Sequence, residues 1–189
     1  MFRNSILVVS ILFCAQAFAT EKSEFTLTSP DLPPGKPVAD ILVGHDYGCK
    51  GPGLSPELIW KNAPTGTKSY AITMFDNFTP PASGWWHWLV YNLPATTHSV
   101  PRNAGTLDGK NLPAGAKQGL ADGEVPEHRY FGPCPDIGDK PHHYVITVYA
   151  LSVDHLEIPA TSTGAQIDYV ISSKVLAKAS IDSTYAREK

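Results

Sequence analysis

The stretch Trp85-Trp86-His87-Trp88-Leu89-Val90-Tyr91-Asn92-Leu93-Pro94 decides the fold. Aromatic and aliphatic residues fill it, Gly84 precedes it and Pro94 closes it. Such a run, bounded by chain-breaking residues, reads as a strand from Trp86 to Leu93. On an unbroken pleat, His87, Leu89, Tyr91 and Leu93 share one face, and Trp86, Trp88, Val90 and Asn92 the other. Two further strands read as clearly: Ser69 to Phe75, which ends at Asp76, and His143 to Val153. Shorter ones are expected around Phe25 and Leu27, over Val38 to Val43, and over Leu58 to Trp60. A Pro- and Gly-containing loop from Asp76 to Gly84 joins the first two long strands. Ala95 to His128 has no sustained period and reads as a long surface excursion. Near the end, Thr163 and Gln166 have capping-box spacing. Ile167, Val170, Ile171 and Val175 then recur at helical intervals. This predicts a helix from about Gly164 to Ala179, followed by a short strand or tail over Ile181 to Tyr185.

Composition narrows the function classes. The 189 residues are 42% hydrophobic, enough for a core in one domain. Only 17% are charged and the net charge is -3. A chain so near neutrality has no broad attraction for nucleic acid or acidic membranes, so any ligand is recognised locally. The 17 Pro and 15 Gly are spread along the chain and suit a turn-rich, mainly β fold.

Arg3, the apolar run Ile6 to Phe13 and the small-x-small triplet Ala17-Phe18-Ala19 have the order of a secretory signal. The run is shorter than the roughly 20 residues a membrane-spanning helix needs. Residues 1–19 are expected to be removed, leaving 20–189 as a single domain in the periplasm or outside the cell. Cys14 leaves with the signal. Cys49 and Cys134 remain, and an oxidising compartment favours a bridge between them.

His142 and Tyr144 lie two residues apart, so both point one way from a strand beginning there, and His143 points the other. Asp76 sits where an apolar strand meets a loop, a common place for polar groups presented by a rigid sheet. In Gly132-Pro133-Cys134-Pro135 only Gly132 and Cys134 have backbone N–H groups, and such turns can cradle an anion. Each residue also has an ordinary role: a hydrogen-bonded His at a strand start, an Asp satisfying loop N–H groups, a core Tyr with its hydroxyl at the edge, a plain loop.

The ten-residue stretch from Trp85 to Pro94 resembles the signature strand of bacterial phosphatidylethanolamine-binding proteins, the family that includes the Raf kinase inhibitor proteins. Gly132-Pro133-Cys134-Pro135, with Gly138-Asp139-Lys140-Pro141-His142-His143-Tyr144, is similar to its second signature, in the same order and at a similar separation. Gly53-Leu54-Ser55-Pro56-Glu57-Leu58 is similar to a third segment. The resemblance runs from about Phe25 to Tyr185. It implies a mainly β fold with a large central antiparallel sheet, a smaller second sheet and a C-terminal helix beside the ligand mouth. It implies a pocket for small anionic, phosphate-like groups, free phosphate or a phospholipid headgroup, lined by Asp76, His87, His142 and Tyr144 with Gly132 and Pro133 at the rim. One position departs: where the family has Asp-Pro-Asp-x-Pro, this chain has Asp76-Asn77-Phe78-Thr79-Pro80, with Phe78 in place of the second Asp. By analogy with family members that inhibit other proteins, a protein partner is also implied, outside the cytosol for an exported chain.

In this reading Tyr144, a His N–H and the Gly132 backbone donate to the anion, and Asp76 accepts from a His. No cofactor is called for, and nothing marks the chain as an integral membrane protein after signal removal. The alternatives are a hydrolase or a metal-dependent enzyme using the same Asp and His residues. Gly53-Leu54-Ser55-Pro56-Glu57 fails as a nucleophile elbow at its last position, and no nucleophile stands next to a base. Asp76, His87 and His142 form a two-His, one-carboxylate set in composition, without the spacing of a metal motif.

Overall fold

The computed structural model describes residues 23–78, 84–123 and 126–188. The expected signal segment lies outside them, as does most of the loop expected between Asp76 and Gly84. Among the described residues, eight strands and one α-helix follow in the order β1 (Thr26–Thr28), β2 (Leu58–Lys61), β3 (Ser69–Asp76), β4 (Trp85–Pro94), β5 (Ser99–Val100), β6 (Lys117–Gln118), β7 (His142–Leu151), α1 (Gly164–Ser172) and β8 (Val175–Tyr185). They form an antiparallel five-stranded sheet, β6-β4-β3-β7-β8, and a smaller antiparallel sheet, β1-β2-β5. This is the mainly β, two-sheet, one-helix architecture that the sequence implies.

β3 runs through the middle of the large sheet and is buried along almost its whole length. That explains its continuous apolar reading: both of its faces are covered. One face packs on the small sheet around Trp60, Tyr70, Ile72, Trp88 and Ile146, all at most 1% exposed. An aromatic of this size takes about 150–250 Å² out of water, worth roughly 4–6 kcal/mol at about 25 cal/mol per Å². The other face carries Ala71, Leu89 and Tyr91, and α1 covers it with Ile167 and Ile171.

The pleat of β4 is not unbroken, and here the expected faces are wrong. Met74 pairs with Trp88 and Phe75 with Trp86, so His87 is an extra residue. Tyr70 pairs with Leu93 and Ile72 with Val90, which puts a second extra residue at Tyr91 or Asn92. Asn92 has φ 60°, a left-handed conformation that Asn tolerates, and its side chain bonds both backbone groups of Leu156. Each β-bulge switches the side on which later residues fall. Leu89 and Tyr91 therefore face the helix, whereas Trp88, Val90 and Leu93 face the small sheet. His87 goes with the latter side, against Tyr144.

The helix is shorter than expected. Thr163 and Gln166 form the capping box, Gln166 N–H donating to Thr163 Oγ1 and Thr163 N–H to Gln166 Oε1. The helix ends at Ser172, not Ala179, and the hydroxyls of Ser172 and Ser173 donate to its last-turn carbonyls. Val175–Tyr185 instead pairs with β7 as an edge strand of eleven residues. After Ser172 the apolar period is two: Ala177, Ala179 and Ile181 pack on the core between the sheets, and Lys178, Ser180 and Asp182 alternate with them. A ladder along nearly all of β7 outcompetes two more helical turns.

Two smaller expectations also change. Val38 to Val43 is not a strand: Asp40–Leu42 is a 3-10 turn, with Leu42 N–H bonded to Ala39 O and Val43 N–H to Asp40 O. The excursion from Ala95 to His128 is not confined to the surface. It contributes β5 and β6, and Val100, Ala104 and Ala121 are fully buried. Gln118 ties it down, accepting from Trp88 Nε1 and donating to the carbonyls of Thr106 and His128.

Candidate functional site

At one end of the large sheet, three strand ends meet. Asp76 is the last residue of β3 and is paired with Trp85 at the start of β4 and with Tyr144 near the start of β7. His142 opens β7 and, two residues before Tyr144, points to the same side; His143 points out and pairs with Asp182 at 3.1 Å. The bulge at His87 brings that imidazole to the same place, 5.2 Å from the Tyr144 ring and steeply inclined to it. The His142 and Tyr144 rings stack at 6.3 Å. Asp76, His87, His142 and Tyr144 are all buried, yet all line one cavity of about 230 Å³.

The other wall is built from two loops held backbone to backbone. Gly132 lies against the 42–44 turn so closely that a Cβ there would stand 2.3 Å from Leu42 O and 2.4 Å from Gly44 N. Pro133 does not line the cavity; its carbonyl accepts from Gly44 N–H. The disulfide Cys49–Cys134, with Cα atoms 5.9 Å apart, fastens the same two loops. Phe131 is clamped to His87 twice: Phe131 N–H donates to His87 O, and His87 Nδ1–H donates to Phe131 O at 2.8 Å. Arg129 covers the back of Phe131, 3.7 Å from its ring centre, and pairs with Asp46 and Glu127.

Asp76 is a hub. Its Oδ2 accepts from His142 Nδ1–H at 2.6 Å and its Oδ1 from the backbone N–H of Phe78 at 2.9 Å. That second bond holds the backbone at Phe78 to the end of β3. The Phe78 ring lies 5.1 Å from that of His142 and is 42% exposed. His142 Nε2 faces Asp139 Oδ2 at 3.4 Å. Burial pulls the pKa of His87 down to about 4, against the opposing effects of the Phe131 carbonyl and Asp76. Burial first, and then the adjacent Asp76 carboxylate, pushes the Tyr144 phenol up. At neutral pH His87 is therefore an uncharged imidazole and Tyr144 an uncharged phenol.

Sequence reading singled out four of the lining side chains and Gly132, and missed Asp46, Tyr47, Trp85, Phe131, Asp136 and Asp139 as pocket residues. Asp136 and Asp139 sit inside the second motif, between Cys134 and His142, where a signal was present. Asp46 and Tyr47 arrive from a distant loop and had no signal beyond their nearness to Cys49. The lining has four carboxylates and no Lys or Arg. Among the described residues no group of three or more His, Cys, Asp or Glu is placed to hold a metal ion. No helix among them is long and apolar enough to cross a membrane.

A family model described as phosphatidylethanolamine-binding protein matches residues 28–186. The chain belongs to the phosphatidylethanolamine-binding protein family. Within this family it is similar to the UPF0098 protein YbcL of Escherichia coli, 38% identical over 95% of this chain and 97% of that protein. The UPF0098 protein YbhB of the same organism is 34% identical over 85% of this chain and 99% of its own length. The crystal structure of E. coli YbcL, described as a new member of the mammalian family, superimposes with a TM-score of 0.83. It is 40% identical and covers 87% of this chain and 99% of that one.

Proposed function

We propose that this phosphatidylethanolamine-binding-family protein is an exported binding protein. It holds a small phosphate-like group in the cavity between Asp76, His87, His142, Tyr144 and the Gly132 turn, and performs no turnover on it. The observation that carries this reading is the convergence of two imidazoles, a phenol and a carboxylate from three strands on one hollow beside that turn. A phosphate monoester such as phosphoethanolamine and free phosphate share the recognised chemistry. Gly132 and Cys134 offer backbone N–H groups, since Pro133 and Pro135 have none. Asp76 serves by accepting from His142 Nδ1 and setting that ring's orientation. Hydrogen bonds to a charged group contribute about 1.5–3 kcal/mol each, so a few of them give modest affinity. Export is supported by the Cys49–Cys134 bridge, since such bonds persist in oxidising compartments. A role in modulating a protein partner outside the cytosol rests on the family relationship.

Isothermal titration of the mature protein with inorganic phosphate and with phosphoethanolamine tests the site. Binding of either, lost at least tenfold in His142→Ala with the fold intact by circular dichroism, is the expected result. Undiminished binding by that variant removes the pocket assignment.

A further inference from the structure

We infer that the group this cavity takes must bring its own proton: it binds a monoprotonated oxyanion through a hydrogen bond from the ligand's O–H to His87 Nε2. The inference rests on the anion-pocket reading and specifies which ionic form enters.

The donors and acceptors at the cavity lead to it. His87 Nδ1–H is spent on the carbonyl of Phe131 at 2.8 Å. A neutral imidazole carries one N–H, so the Nε2 of this ring is a lone pair, an acceptor. Burial keeps the ring in that neutral form. Asp76 from β3 and Asp46, Asp136 and Asp139 from the loops add only acceptors when ionised. His142 from β7 has Nδ1 on Asp76 and Nε2 facing Asp139. The hydroxyl of Tyr144, also from β7, is under the influence of the Asp76 carboxylate. Arg129 stands behind Phe131 and is engaged by Asp46 and Glu127. The lining therefore presents a surplus of acceptors and negative charge, with the Gly132 and Cys134 N–H groups as donors at its turn.

A phosphate dianion in this hollow meets the His87 lone pair with one of its own, and a buried lone pair facing a lone pair loses a hydrogen bond and adds repulsion. A monoanion resolves both problems. Its P–OH donates to His87 Nε2, its remaining oxygens accept from the turn, and one negative charge fewer enters among the carboxylates. The proton stays on the ligand and no covalent bond changes.

Methyl phosphate and dimethyl phosphate separate this from the alternatives. The first loses its second proton near pH 6 (about that of other phosphate monoesters); the second is a permanent monoanion with no P–OH. Calorimetric titration of the full mature protein, in pairs of buffers of different ionisation enthalpy from pH 5 to 8, reads affinity and proton uptake together. Methyl phosphate is expected to weaken about tenfold per pH unit above its pKa, with about one proton taken up per molecule bound at pH 8. Dimethyl phosphate is expected to bind at least tenfold more weakly than methyl phosphate at pH 5. Equal binding of the two at pH 5 overturns the inference and puts any proton taken up on a histidine. So does binding of methyl phosphate without proton uptake. In both cases the pocket assignment survives. Failure of methyl phosphate and of inorganic phosphate to bind at any pH removes that assignment and this inference together.

Discussion

The Asp76 carboxylate and the His142 imidazole, at the ends of the adjacent strands β3 and β7, are joined by a 2.6 Å hydrogen bond with both side chains almost fully buried. Through it the last residue of one strand fixes the ring at the start of another, and the same carboxylate also starts the loop toward Phe78. Removing one member of a buried pair strands the other. Asp76→Ala is expected to lower unfolding stability by about 1–3 kcal/mol, the cost of leaving a buried hydrogen-bonding group unpaired. Asp76→Asn, which keeps an acceptor, should cost less. Urea unfolding of both variants checks this, and equal stability of Asp76→Ala and the parent chain contradicts it.

The bridge between Cys49 and Cys134 closes a loop across 85 residues of sequence. Restricting an unfolded chain over such a span stabilises the fold by about 4–5 kcal/mol in the entropy model. Replacing both cysteines by Ala should reduce the free energy of unfolding by that order, seen as a lower denaturant midpoint. Because the bridge ties the Asp46–Tyr47 loop to the Gly132 turn, hydrogen exchange should rise in those two loops before it does in β3 or β7.

His87 gives the fold an acid sensitivity of definite sign. Its pKa lies at about 4 in the folded chain, below the roughly 6.5 of a free imidazole. Between these values the unfolded chain binds more protons than the folded one, so stability falls as pH drops from about 6.5 to about 4. The full loss is roughly 3 kcal/mol at 1.36 kcal/mol per pH unit. His87→Asn should flatten that part of the stability profile, and an unchanged slope would count against a neutral, buried His87.

Gly132 has no room for a side chain. A Cβ would press on Leu42 O and Gly44 N, both backbone atoms that cannot rotate away. Gly132→Ala is expected to cost at least about 2 kcal/mol, in the range of overpacked or strained sites, and to part the two loops that wall the cavity. Gly35 is the contrast: a Cβ there would meet nothing within 4 Å, but φ is 70°, so a side chain is opposed by conformation and not by crowding.

Much of this molecule can be read along the chain. The strands β3, β4 and β7 follow from runs rich in aromatic, aliphatic and β-branched residues. The common direction of His142 and Tyr144 follows from their spacing of two, and the start of α1 from Thr163 and Gln166, whose two bonds are local. What lies beyond reach has a common physical cause. A bulge exists only relative to a partner strand, so the register of β3 decides that His87 faces Tyr144 and that Leu89 faces α1. The choice between helix and strand for Val175–Tyr185 turns on whether β7 is there to pair with it. The acidic character of the hollow comes from Asp46, Asp136 and Asp139, carried in by loops whose meeting is set by a disulfide and by the missing side chain of Gly132. Local periodicity marked β3, β4, β7 and the start of α1; the contacts between distant segments decided that Val175–Tyr185 is a strand and which side chains share a cavity.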